Sequence, residues 1–171
     1  MLFRSTISVT NYDIGSTGPG GGIVFYDKGN YSFDGNGYWR YLEVAPVDQS
    51  STGIIWAIVA YQATAVPGGT GTVLGSGFAN TEKIITQNGA GITYAAGLVR
   101  AYNGGGKSDW FLPSKDELSA IWNSGVGIPA NSYWSSSEVS NSVAWVVSFS
   151  DGSQNTSAKF GTGRIRAVRA F

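Results

Sequence analysis

Gly104-Gly-Gly-Lys107-Ser-Asp-Trp110-Phe-Leu112-Pro-Ser114-Lys-Asp-Glu117-Leu118 carries three structural instructions in one run. Its glycines, following Asn103, end a helix. Trp110-Phe-Leu112 reads as a short buried strand. Ser114 to Glu117 is a capping box, in which the Ser114 hydroxyl accepts an orphan helix N–H and the Glu117 side chain reaches back. The helix it opens buries Leu118, Ile121 and Trp122.

Helices are expected on the N-terminal side of this run as well. From about Ile92 to Tyr102, residues Ile92, Ala95, Ala96, Val99 and Tyr102 form one apolar stripe. Before it, Asn80 is placed to cap a short helix through Gln87 that buries Ile84 and Ile85 and ends at Asn88-Gly89. Strands lie outside the helices. Ile23 to Tyr26 and Tyr38 to Ala45 come before them, with Pro46 stopping the second. Tyr133 to Glu138, Val143 to Phe149, Ser153 to Phe160 and Ile165 to Phe171 come after, with a turn at Asp151-Gly152. The run Gly53 to Gln62 is apolar on both faces and fits a buried strand or a short helix equally. Thr64 to Gly77, rich in glycine, reads as a loop over the core. Strands, then helices, then strands predict an α+β domain with a mostly antiparallel sheet and two to three short helices.

A length of 171 residues fits one domain, over about residues 13–171. Residues 1–12 stand apart as an N-terminal strand or extension, with Ile7 and Val9 alternating against Ser8 and Thr10, and Phe3 to Thr10 is available to complete a neighbour's sheet. The N-terminus has one basic residue, Arg4, and no apolar run of signal or membrane-span length, so no membrane insertion is expected.

The chain contains neither Cys nor His. That removes disulfides, thiolate and imidazole metal sites, and Ser-His or Cys-His catalysis. Lys+Arg 11 balances Asp+Glu 11, and charged residues make up 13% of the chain, against about 25% in an average protein. Steering toward nucleic acid is not expected. A neutral surface of Ser, Thr, Asn and Gly is poorly protected against self-association.

The glycine motifs fail as nucleotide sites. Gly104 to Ser108 has Ala101 where a P-loop needs glycine, and it leaves a helix rather than opening one. Gly15 to Gly22 precedes a strand and has Ile23 at the third glycine position. Asp109, Asp116, Glu117, Glu138 and Asp151 are the carboxylates near aromatic strands that a glycosidase would need. Capping explains Asp116 and Glu117 better, and Glu138 is expected to pair with Arg166 or Arg169. Structural pairing is likewise expected for Arg164, Arg166 and Arg169, on a semi-buried strand. Trp110, Trp134 and Trp145 are expected in the core. No catalytic residue, metal site or cofactor is assigned. The most promising surface is polar and uncharged: Asn131, Tyr133, Ser140, Asn141, Asp151, Ser153, Gln154 and Asn155 beside aromatic strands, a composition suited to hydroxyl-rich ligands and adaptable protein contacts. Tyr133 lies on the strand face opposite Trp134.

Ile14 to Tyr26, Tyr41 to Pro46, Asn80-Thr81, Gly104 to Leu118, Tyr133 to Glu138 and Val168 to Phe171, in this order, resemble the domain at the C-terminus of bacterial collagen-like adhesins, related to C-type lectins and to formylglycine-generating sulfatase-modifying enzymes. The resemblance implies a C-type-lectin-like fold with paired terminal strands and a second small sheet carrying ligand-facing loops. It also implies an extracellular, cell-surface or virion setting and a trimeric or filamentous state. The cysteines and iron-binding histidines of the enzymatic relatives are absent, as are the calcium and sugar motifs of animal lectins. The expected function is therefore non-enzymatic recognition of a glycan or cell-surface receptor. The alternative is a self-assembling subunit of a filament or virion appendage.

Overall fold

A computed structural model describes residues 10–34 and 37–171. All but the last residue of the expected leading strand, Phe3 to Thr10, falls outside them. In chain order the elements are strands β1 (Ile23–Asp34), β2 (Gly37–Val44) and β3 (Ile54–Ile55), helices α1 (Gly77–Asn88), α2 (Ala95–Arg100) and α3 (Lys115–Ser124), and strands β4 (Ser132–Glu138), β5 (Val143–Ser148), β6 (Gln154–Ala158), β7 (Thr162–Gly163) and β8 (Val168–Ala170). The α+β class expected from the sequence is observed. The strands form three antiparallel sheets, ordered β1-β2-β8, β3-β7 and β4-β5-β6.

One continuous sheet is excluded by where the apolar side chains go. Trp134, Ala144 and Val146 enter one core with Trp56, Ile84, Val99 and Trp110. Tyr133 and Val147, on the other face of the same two strands, enter a second core with Leu42, Phe111, Leu118 and Ile121. Because β4 and β5 are covered on both sides, they form a middle layer and do not extend the β1-β2-β8 sheet. The latter brings the start of the described residues beside the C-terminal strand. Its β8 pairs with β2 from Leu42↔Ala170 to Val44↔Val168, and the Tyr12 ring lies edge-on to Phe171 with centroids 5.1 Å apart.

The capping box of α3 is present, with the Ser114 hydroxyl accepting from Glu117 N and the Glu117 carboxylate from Ser114 N. Leu118 and Ile121 of α3 are buried as expected, whereas Trp122 is exposed, and the other two helices also differ from expectation. Helix α1 begins at Gly77, so Asn80 sits in its first turn. There the Asn80 amide accepts from Gly71 N (2.8 Å) and donates to Gly71 O (2.7 Å) and Ser136 Oγ (3.1 Å). Tertiary partners outcompete the local cap. Helix α2 is shorter than its stripe: Ile92 is exposed, while Tyr94 is buried at the cap position with its hydroxyl donating to Gly89 O (2.6 Å). In the ambiguous run Gly53 to Gln62, β3 is followed by a single 3₁₀ turn at Val59–Tyr61. The expected strand at Trp110-Phe-Leu112 reduces to one bridge, Phe111 with Val168.

The bend Gly15 to Gly22 has an internal ligand. Glu43, fully buried, accepts from Gly20 N (2.9 Å) and Gly22 N (3.0 Å). A Cβ added at Gly18 or Gly20 would stand 2.5 or 2.6 Å from its carboxylate oxygens.

Candidate functional site

The polar residues singled out in the sequence fall at two ends of one sheet. Ser140 and Asn141 form the exposed turn between β4 and β5, while Asp151 and Ser153 form the turn between β5 and β6. Six residues of β5 separate these turns, roughly 16–20 Å at about 3.3 Å per residue. Asn131 joins the second group, its carbonyl accepting from Phe149 N (2.8 Å). Gln154, Asn155 and Thr156 stand exposed on β6, an edge strand.

Tyr133 is not part of this surface. It is fully buried, and its hydroxyl donates to Asp48 Oδ1 (3.1 Å). Burial, reinforced by the Asp48 carboxylate, pushes its phenol up to about 12. The alternation that put it opposite Trp134 was sound, but both faces of β4 are covered.

The 151–155 turn is stitched to itself. Asp151 Oδ1 accepts from Ser153 N (3.0 Å) and Ser153 Oγ (2.7 Å), and Asn155 Nδ2 donates to Ser153 Oγ (2.9 Å). The Ser153 bonds hold the Asp151 carboxyl below its usual range. Beside it, Gln154 bridges α3 and β6, accepting from Lys115 Nζ (2.9 Å) and donating to Ser119 Oγ (2.8 Å). The same Lys115 ammonium lies 5.4 Å from the ring of Trp145, which is half-buried rather than in the core. Thr156, directly opposite Trp145, and Gln154 thus lie on the ring's face of the sheet with the Lys115 ammonium, and Asn155 lies on the other face of the same edge strand.

The ionisable groups of the interior are spoken for. Glu138 pairs with buried Lys159 (2.7 Å), not with Arg166 or Arg169. Lys159 reaches it from beyond the end of β6, and Glu138 also accepts from Val66 N (3.0 Å). Arg164 and Arg166 converge on Asp48 at 2.9 and 3.2 Å, and Arg169 joins Asp109 (2.6 Å) to Glu43 (3.0 Å). Glu117, fully buried, accepts from Ser114 N (2.6 Å) and Gly75 N (2.9 Å), and desolvation nonetheless raises its carboxyl to about 7. Among the described residues, no group of three or more Asp and Glu side chains is placed to hold a metal ion, and no helix is long and apolar enough to cross a membrane.

Sequence reasoning missed an aromatic pocket of about 270 Å³ lined by Tyr38, Trp39, Leu42, Gly75, Phe78, Asp109, Phe111 and Ala170. Its walls come from four separate segments, and the only local signal was the Tyr38-Trp39 pair on a strand. Tyr38 is 69% exposed and stacks on Tyr31 at 5.9 Å. Trp39 is 4% exposed, and its indole N–H is buried without a hydrogen-bond partner among the described residues.

The model of one protein family, described as the Lcl C-terminal domain, matches residues 46–169, more than two thirds of the chain. No curated protein matches it.

Proposed function

The chain belongs to the Lcl C-terminal domain family, and from that membership we propose that it is a non-enzymatic recognition domain, of C-type-lectin-like type, that binds a glycan or a cell-surface receptor outside the cell or on a virion. The observation that carries this reading is the edge strand β6 with its 151–155 turn. Gln154, Asn155 and Thr156 are exposed there, and half-buried Trp145 lies in the adjacent strand. Amides and hydroxyls beside an aromatic ring suit hydroxyl-rich ligands, and short polar side chains adapt to protein partners. The two turns are too far apart to grip one small ligand, so the contact surface is the 151–155 end together with β6. The resemblance to collagen-like adhesins supports the extracellular setting.

A glycan array and a cell-binding assay with an oligomeric preparation test this. Binding that falls on Asn155→Ala or Thr156→Ala supports it; no binding, or binding untouched by both, counts against it.

A second reading is favoured by β6 itself. Gln154 to Ala158 is an edge strand with no charge and no proline, so it lacks the usual guards against strand addition. As a self-assembling subunit of a filament or appendage, the protein would use this edge to pair with another copy. Thr156→Pro should then shift the particle size seen by light scattering to that of monomers, whereas monomers at all concentrations for the unaltered chain would exclude this reading.

A further inference from the structure

We propose that the aromatic pocket between β2, the start of α1 and the Asp109–Phe111 segment is a second binding site, one that takes a single neutral, hydroxyl-bearing sugar ring. The inference goes beyond the β6 surface and does not depend on it.

The chemistry of the walls selects the ligand. Phe78 and Phe111 meet edge to face at 5.9 Å, and Tyr38, steadied from behind by Tyr31, holds its ring at the pocket with most of its surface open. Such rings offer faces to the C–H side of a saturated ring. Two polar groups stand among them. Asp109 uses Oδ1 on Arg169 and is 48% exposed, which leaves carboxylate lone pairs for a donor. The second, the Trp39 indole N–H, is buried and has no partner among the described residues, although a buried indole N–H normally has one. A hydroxyl-bearing ligand donates to Asp109, and a turn of the Trp39 ring would let the same ligand accept from its N–H.

Charge argues against the other classes. Arg169 is shared between Asp109 and Glu43, so two carboxylates meet one guanidinium and a sulfated or carboxylated sugar would be repelled. The guanidinium already bonded to Asp109 likewise weakens its pull on a ligand ammonium. Size sets the number of rings. The pocket's 270 Å³ lies just below the range of about 300–1,000 Å³ that drug-sized ligands fill, which suits one residue of a chain. Gly75 forms part of the wall, and its N–H is fixed by the buried Glu117 carboxylate (2.9 Å), so the pocket is held open without ligand.

The test is a ¹H–¹⁵N titration of the whole chain with methyl β-galactoside, methyl β-glucoside and N-acetylglucosamine, watching the indole N–H signals, assigned through their backbone connections. At least one neutral sugar should move the Trp39 indole signal with millimolar affinity. Tyr38→Ala, an exposed position that leaves the fold intact, and Asp109→Asn should each weaken that response about tenfold, the equivalent of one lost contact. Asn155→Ala should leave it unchanged, so failure of the β6 reading and failure of this one are seen separately. The proposal is overturned if the Trp39 signal stays still up to about 100 mM sugar, well above millimolar affinity. It is also overturned if the Trp145 signal alone moves, if Tyr38→Ala responds like the unaltered chain, or if N-acetylglucosamine 6-sulfate or choline is preferred to every neutral sugar.

Discussion

The loop from Thr64 to Ser76 and the turn from Ser150 to Asn155 are both irregular and glycine-containing, yet they are held in opposite ways. The first is tied by partners far away in sequence. Lys159 donates to Thr64 O, Glu138 accepts from Val66 N, Glu138 N donates to Thr70 Oγ1, Ser137 Oγ donates to Gly71 O, Ser114 Oγ to Val73 O, and Glu117 accepts from Gly75 N. The second is tied mainly by Ser148, Asp151 and Ser153 to residues two positions away, with the Gln154 side chain reaching farther, to Lys115 and Ser119 of α3. A long-range tie is part of the fold, and losing it leaves a buried group without a partner. A local tie shapes only the turn that contains it. The molecule therefore has one loop whose backbone is committed to distant side chains and one whose side chains, Gln154 apart, are free to change with little cost to folding.

The sharpest way to break this contrast is at the buried pair. Lys159→Ala strands the Glu138 carboxylate and should cost about 3–5 kcal/mol in urea unfolding, whereas the double variant Glu138→Gln/Lys159→Met should recover much of that loss. Equal losses in single and double variants would mean that the pair is not the anchor.

Next in size is Glu117→Gln, which turns an amide N–H₂ toward backbone donors and should cost about 1–3 kcal/mol. Its pH signature is specific. Because the carboxyl is raised in the folded protein from 4.5 to about 7, the folded state holds the proton more tightly than the unfolded chain. This contribution to stability is fully present below about pH 4.5, shrinks as pH rises, and is gone above about pH 7. Denaturation across that window should show the unaltered chain losing stability relative to Glu117→Gln; parallel curves would refute the raised carboxyl.

Within the permissive turn one position is predicted to resist. Gly152 has φ +76°, and an added Cβ would lie 2.3 Å from Trp122 Nε1. Gly152→Ala should cost about 1–3 kcal/mol, measured by thermal melting. Smallest of all, Asn155→Ala and Ser140→Ala should shift stability by no more than about 0.5 kcal/mol. A larger loss at Asn155 would show that the exposed side chains of its turn carry structure, which would erase the distinction between the two loops.

That distinction also explains what was legible in the sequence. The capping box at Ser114 and Glu117 and the alternation of β4 and β5 depend on neighbours within a few residues, and they can be read directly. Asn80 looked like a cap because its local pattern was right, but its amide is claimed by Gly71 and Ser136. The partner of Glu138 was misassigned for the same reason: among several basic residues, only the packing decides that Lys159 arrives. The polar face was half legible. Spacing located its turns but not their placement at opposite ends of a strand. The aromatic pocket had no contiguous signature beyond the Tyr38-Trp39 pair, since residues 38–39, 75–78, 109–111 and 170 meet only after folding.

Glu43 carries one more implication, for descent rather than stability. Gly18 and Gly20 lack room for a side chain because that carboxylate occupies the space, and Gly22 gives it a third N–H bond besides those from Gly20. The acid and the glycines are therefore a single inherited character. Among homologous sequences, a neutral residue at position 43 should coincide with loss of the glycine spacing at 18, 20 and 22, and an intact acid with its retention.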